Sequence, residues 1–336
     1  MTTAVDKSLI KTLVESWGPP GYEHKIRAVI QELVADLADE IRVDAAGSLI
    51  CRIGSGGKKV MIAAHMDEIG LIVHHIDRDG YARFSNIGTL FPSTLNGNRV
   101  LFDNGVIGTI GMEHAFDPKH TPQAADFYVD FSDGSADNGG SIGVGSTAAM
   151  YYPMVERGER LIAKSMDDRI GCAVAIMAMR QIKQIGSPNE LYFVFTTQEE
   201  VGVRGAKVAA SGVAPDYGIA LDVCPTGDLP QVEKLNVRLG QGAAILIRDA
   251  LHIVPPKIKE LFIKRAEEAH IPYQLEILDL GSTDASGIQQ TGAGVPSATI
   301  SIPCRYVHTT SETVDVRDVA ACVDLLVEVL AKGLDV

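Results

Sequence analysis

Leu191-Tyr192-Phe193-Val194-Phe195 is an almost wholly apolar run that stops abruptly at Thr196-Thr197-Gln198-Glu199-Glu200-Val201-Gly202. A run of this kind reads as a strand buried on both faces, the strand type of parallel sheets covered by helices above and below. In open α/β sheets, ligands and chemistry collect at the carboxyl ends of the strands. Two adjacent carboxylates at that position can divide the work, one binding a cation and the other moving a proton.

The same pattern recurs along the chain. Val60-Met61-Ile62-Ala63-Ala64 ends at His65, Tyr217-Gly218-Ile219-Ala220-Leu221 ends at Asp222, and Ala298-Thr299-Ile300-Ser301-Ile302 is followed shortly by His308. Helical signals cover about 6–17, 23–38, 168–183, 203–211, 255–269 and 315–332. This alternation predicts an α/β fold with a mostly parallel sheet covered by helices on both faces. From about Leu71 to Tyr152 the alternation stops, and short β-like runs are punctuated by Asp79-Gly80, Asn96-Gly97, Asn104-Gly105 and Asp133-Gly134. At 336 residues the chain is long for one core, which predicts a large domain of residues 1–69 and 161–336 with a small β-rich domain inserted over 70–160.

Charge and cysteine content narrow the function. With 43 acidic and 30 basic residues the formal charge is −13, which opposes binding to nucleic acid or an anionic membrane. Cys51, Cys172, Cys224, Cys304 and Cys322 are odd in number, scattered and free of CxxC spacing, unlike a disulfide framework or a thiolate zinc site. The N-terminal residues carry no basic-then-apolar leader, and no apolar run approaches about 18 residues, so a soluble cytoplasmic protein is expected. No G-x-S-x-G elbow, Walker loop or dinucleotide glycine fingerprint occurs, so no serine nucleophile or organic cofactor is expected.

The polar residues that close the strands form a coherent donor set. His65, Glu200, Asp222 and His308 follow apolar runs, and Asp167 opens the helix of Asp167-Asp168-Arg169-Ile170-Gly171. Two imidazoles and three carboxylates suit zinc, cobalt or manganese. They exceed the needs of one open tetrahedral zinc but fit two ions sharing a bridging carboxylate and a water. On this reading His65 and carboxylate partners hold one ion, His308 and the remainder hold the other, and Asp167 bridges. Asp67, two residues beyond His65, is placed to accept the imidazole's second N–H. Glu199 is then free to act as general base and then general acid in amide hydrolysis. Taken singly, an Asp-Asp pair reads as a helix cap and Glu199-Glu200 as a charged loop. Five such coincidences in one chain favour the metal reading. His74, His75, His114, His120, His252 and His270 lack this context and are read as ordinary histidines.

Several segments together resemble the TET-type dinuclear metal aminopeptidases, a family of glutamyl, leucyl and deblocking enzymes some of whose members carry an endoglucanase label. They are Ala64-His65-Met66-Asp67-Glu68-Ile69-Gly70, Asp167-Asp168-Arg169-Ile170-Gly171, and Thr197-Gln198-Glu199-Glu200-Val201-Gly202-Val203-Arg204-Gly205-Ala206. Ala220-Leu221-Asp222-Val223, Gly281-Ser282-Thr283-Asp284-Ala285 and Ile302-Pro303-Cys304-Arg305-Tyr306-Val307-His308-Thr309 complete the set. The resemblance implies a zinc-exopeptidase-like fold with two divalent ions, zinc or cobalt, with manganese as a further option. His65, Asp167 and Asp222 would hold one, and Asp167, Glu200 and His308 the other, with Glu199 shuttling the proton. It further implies a cis Asp167–Asp168 peptide, a PDZ-like dimerisation domain in the insertion, and dimers building a tetrahedral dodecamer. The activity it implies is removal of the N-terminal residue from short peptides. The alternative is a related metallohydrolase acting on N-acyl amino acids or other non-peptide amides. The chain departs from the family pattern at Ser282, where glycine is commoner, and over residues 112–140.

Overall fold

The structure is a computed structural model describing residues 3–115, 117, 119–132, 142–230 and 235–334. Helices α1 (Lys7–Glu15) and α2 (His24–Val34) lead into strands β1 (Glu40–Val43), β2 (Leu49–Ile53) and β3 (Lys59–His65). Six short strands follow: β4 (Gly70–Ile76), β5 (Ala82–Ile87), β6 (Arg99–Phe102), β7 (Ile107–Met112), β8 (Phe127–Asp130) and β9 (Thr147–Met150). The hairpin β10 (Val155–Arg157) and β11 (Arg160–Ala163) precedes α3 (Met166–Ile185), β12 (Glu190–Thr196), α4 (Arg204–Val213) and β13 (Tyr217–Pro225). The chain closes with β14 (Ala243–Arg248), α5 (Pro256–Glu268), β15 (Tyr273–Ile277), α6 (Asp284–Gln289), β16 (Ser297–Arg305), β17 (Glu312–Asp315) and α7 (Val316–Lys332).

One large sheet has the order β1-β2-β12-β3-β13-β16-β17-β11-β10, with β14 and β15 joined to it through β16. Its centre, β12-β3-β13-β16, is parallel. The expectation of a mostly parallel sheet is corrected at the flanks. β1, β2, β10, β11 and β17 pair antiparallel, and β14 runs antiparallel to β16. Five residues join β1 to β2 and two join β10 to β11, too few for the helical crossover that parallel neighbours require.

Alternation along each central strand sets the two faces. Val60, Ile62 and Ala64 of β3 share one core with α1, α2, α3, α5 and α7, while Met61 and Ala63 share another with α4 and α6. Helices therefore cover both faces. Helix α3 lies so deep that Ile170, Ala173, Val174, Ile176, Ala178 and Met179 are fully enclosed.

Strands β4-β5-β8-β7-β6-β9 close into a separate antiparallel barrel. Its own apolar cluster includes Leu71, Val73, Phe84, Val100, Phe102, Ile110, Phe127 and Val129. The turn expected at Asp133-Gly134, and the Phe116 and Pro118 of the segment noted as a departure, lie outside the described residues. Among the described residues no helix is long and apolar enough to cross a membrane.

Candidate active site

Parallel pairing brings the strand-end residues to one rim. His65, the last residue of β3, pairs with Thr196, the last of β12. The β3–β13 ladder ends at Ala63–Ala220, and His65 and Asp222 each lie two residues beyond it. Asp222 sits within β13 rather than closing it, because pairing with β16 continues to Pro225. Asp167 precedes the regular part of α3, and its peptide bond to Asp168 is cis. His308 lies in the loop between β16 and β17 with φ 62°. Glu312 holds both segments: one carboxylate oxygen accepts the Asp167 N–H at 3.0 Å and the other the His308 N–H at 2.7 Å.

Asp167 is the hub of the cluster. Its Oδ1 is 2.9 Å from His65 Nε2 and its Oδ2 is 3.2 Å from His308 Nε2. His308 Nε2 is also 3.4 Å from Glu200 Oε2. Ligand-type atoms of His65, Asp167 and Glu200 all fall within 4.8 Å of one another, close enough to share one cation. Both histidines and both carboxylates thus share one pocket of space.

Three successive amides of the loop after β12 are tied down by carboxylates. The Gln198 N–H donates to Glu23 at 3.1 Å, and the Glu199 and Glu200 N–H groups donate to the two oxygens of Asp67, each at 3.1 Å. The same Glu23 oxygen accepts the Gly21 N–H at 2.8 Å. This loop has little freedom to swing Glu199 or Glu200 away. With its carboxylate so engaged, Asp67 meets His65 chiefly through its backbone: Nδ1 is 3.1 Å from the Asp67 carbonyl oxygen and 3.6 Å from Oδ1. A proton on Nδ1 leaves the Nε2 lone pair facing Asp167, the tautomer a metal ligand needs.

The electrostatics show a surplus of buried negative charge. Burial pushes the Glu200 carboxyl well up, and repulsion from Asp167 adds to it. Burial does the same to Glu199 and Asp222, where the attraction of His65 opposes it and neighbouring aspartates reinforce it. Asp168 and Glu312 are raised too, first by burial and then by Asp222 and Asp167 respectively. Glu23 is lifted to about 7 by burial and by Asp67. Burial would lower His65, but its hydrogen bonds with Asp167 and Asp67 carry it well above its ordinary value. Glu200 Oε1 and Asp168 Oδ2 are buried without a hydrogen-bond partner among the described residues. An orphaned buried acceptor costs roughly 1–3 kcal/mol, so native proteins normally supply one. A nitrogen-and-oxygen donor set with excess buried carboxylate fits hard-to-borderline divalent cations.

The profile of the M42 glutamyl aminopeptidase family matches residues 47–325, which span every one of these residues except Gly21 and Glu23. The chain belongs to that family. An Acetivibrio thermocellus protein described as a putative aminopeptidase is 41% identical over 96% of this chain and 97% of its own. An aminopeptidase from the archaeon Desulfurococcus kamchatkensis superposes with a TM-score of 0.92 at 35% identity, covering 97% of this chain and 94% of that one. The TET1 peptidase of Pyrococcus horikoshii, described as able to assemble into a tetrahedron or a large octahedral shell, gives 0.88 at 28% identity over 98% and 99%. An M42 chain of this kind is an aminopeptidase, a hydrolase of peptide bonds.

Several residues that support the site were not singled out from sequence. Glu68, next in the chain after Asp67, is buried, accepts the Gly18 N–H at 3.0 Å, and meets Lys164 at 2.5 Å and Arg169 at 3.6 Å. Asp284 accepts the Thr196 hydroxyl behind the rim. Their signal was faint: Glu23 closely follows the breaker Gly18-Pro19-Pro20-Gly21, Glu68 stands in the shadow of His65 and Asp67, and Asp284 ends no apolar run. The remaining histidines stand elsewhere. His74 and His75 are exposed on β4, and His120 pairs with Asp126 in the barrel. All five cysteines are buried and free.

Proposed function

We propose that this M42 chain removes the N-terminal residue from short peptides at a centre of two divalent cations. His65, Asp167 and Asp222 would hold one ion, Asp167, Glu200 and His308 the other. Zinc or cobalt suits the donors best, and manganese is compatible. When bound, the ions supply Lewis-acid polarisation of the scissile carbonyl and acidify the attacking water. Glu199 takes a proton from that water as its oxygen attacks the carbonyl carbon. As the carbon–nitrogen bond breaks, Glu199 returns the proton to the departing amine. Asp67 and Glu23 fix the loop that carries Glu199, and Glu312 fixes the segments that carry Asp167 and His308.

What supports this reading most is the division of Asp167, one carboxylate oxygen against each histidine. The inserted barrel is read as a PDZ-like dimerisation domain over about residues 70–160, set within a catalytic domain of 1–69 and 161–336. The shells described for the Pyrococcus horikoshii relative support a homo-oligomer, with the tetrahedral dodecamer as the specific proposal.

Replacement of Glu199 by Gln tests the mechanism, because the amide keeps the size and loses the proton shuttle. Turnover of aminoacyl p-nitroanilides should fall by about 10²–10⁴-fold, the usual contribution of a general base. The metal content per chain should not change. Undiminished turnover in the Gln variant would remove Glu199 from the role.

A further inference from the structure

Strand β5 ends at Ile87, and the barrel chain then runs directly beneath the candidate centre. A Cβ on Gly88, whose φ is +80°, would lie 3.1 Å from Glu200 Oε2 and 3.0 Å from Ile69 Cγ2, so this backbone abuts the ligand-type carboxylate. Leu90 is buried in the barrel core and anchors the turn, and a 3₁₀ turn begins at Pro92. Phe91, held between them, stays outside that core and is 46% exposed. Its ring centroid is 6.2 Å from that of His308. The loop bearing His308 presents a second aromatic, Tyr306, 51% exposed at φ 60°, whose carbonyl accepts the Thr309 hydroxyl at 2.7 Å. Arg305, the last residue of β16 just before that loop, is tied to Asp228 by bonds of 3.1 and 2.6 Å.

One large, exposed aromatic ring against the His308 imidazole, and a second two residues before His308 on the same loop, are informative, because ligand pockets are mostly apolar with a few convergent polar groups. Resting on the aminopeptidase reading above, we propose that Phe91 and Tyr306 receive the side chain of the residue being released, so that the chain prefers bulky apolar N-terminal residues. The walls offer apolar area, and the nearby guanidinium is already neutralised by Asp228. Leucyl and phenylalanyl peptides gain from that area; glutamyl and lysyl peptides gain nothing from it and lose hydration. The barrel thereby sets specificity for chemistry carried by the sheet.

Purified wild-type chain, with Phe91→Ala and Phe91→Leu, is assayed with zinc or cobalt on the p-nitroanilides of Leu, Phe, Ala, Glu and Lys, and on Leu-Ala and Ala-Leu dipeptides. The wild type should favour Leu and Phe over Glu and Lys. In Phe91→Ala the ratio of kcat/KM for Leu over Ala should fall about tenfold, mainly through KM, as expected for a few lost apolar contacts. Phe91→Leu should restore most of that ratio. Preference for Glu or Lys, an unchanged ratio in Phe91→Ala, or a loss that follows Ala-Leu rather than Leu-Ala would overturn the assignment. No turnover of any substrate by the wild type would overturn the parent reading as well, whereas turnover without this selectivity overturns the specificity assignment alone.

Discussion

Strand β3 is buried along nearly its whole length, whereas β4, which begins five residues after β3 ends, exposes His74 and His75 and buries Leu71 and Val73. In β3 each pleat direction meets a helical layer, so any substitution disturbs packing on one side or the other. In the barrel only the inward direction is covered. The sheet can therefore hold polar side chains rigidly where its strands end, and it supplies all the charged groups gathered around Asp167. Among the described residues the barrel gives the site a loop, Gly88 to Phe91, that carries no charged side chain.

The two cores are separate clusters of side chains, and this separation can be broken by experiment. Phe193 in β12 and Phe127 in β8 are both essentially inaccessible. Each Phe→Ala change should cost about 3–5 kcal/mol at its own core. The consequences should differ in place. Hydrogen exchange in Phe127→Ala should speed up over β4–β9 while β3, β12, β13 and β16 keep their protection, and Phe193→Ala should expose the sheet. Uniform loss of protection in both variants would show that sheet and barrel open as one unit.

How far this could be read from sequence follows the same division. The central strands were legible because both of their faces are apolar, and their terminal polar residues stood out against that background. The flanking strands were not. Glu312-Thr313-Val314-Asp315 looks like a polar loop, yet it is a buried strand because Glu312 is occupied by two amides and Asp315 by Arg160 and Arg317. Glu23 escaped for a related reason, and Asp67 was read only as a partner of His65: both accept backbone N–H groups of the loop after β12, which leave no side-chain pattern in a sequence. A His or Asp that ends an apolar run advertises itself, whereas a carboxylate that orders a loop does not.

Glu23 sharpens the comparison, since it lies outside both the sheet and the barrel and acts only through the loop after β12. Glu23→Ala should free the Gln198 amide, let Glu199 drift, and lower kcat by roughly 100-fold, the scale of an ångström's misplacement. KM should stay within about threefold, because no substrate contact is removed. Glu23→Gln keeps an oxygen for both amides and should recover most of the rate. If Glu23→Gln is as impaired as Glu23→Ala, the carboxylate matters through its charge rather than through the hydrogen bonds described here.

The smallest effect concerns the anchor at the end of β16, just before the loop that carries His308. Burial would raise the Asp228 carboxyl, but the Arg305 hydrogen bonds, with further ones from Thr226 and the Leu239 amide, hold it down at about 2 against an ordinary 3.8. The Asp228 side chain is only 15% exposed, so solvent screening takes little from the pair. A carboxyl held at about 2 instead of 3.8 corresponds to roughly 2 kcal/mol. The sign follows from linkage: the folded state binds this proton less readily than the unfolded chain, so the stabilisation is complete above about pH 4 and drains away as the pH falls towards 2. Urea unfolding should therefore find Asp228→Asn less stable than wild type by about 2 kcal/mol at pH 7, with the gap closing below about pH 4. A gap that stayed constant down to about pH 3 would mean that Asp228 contributes through packing or amide geometry, and that the Arg305 charge does not hold this end of β16.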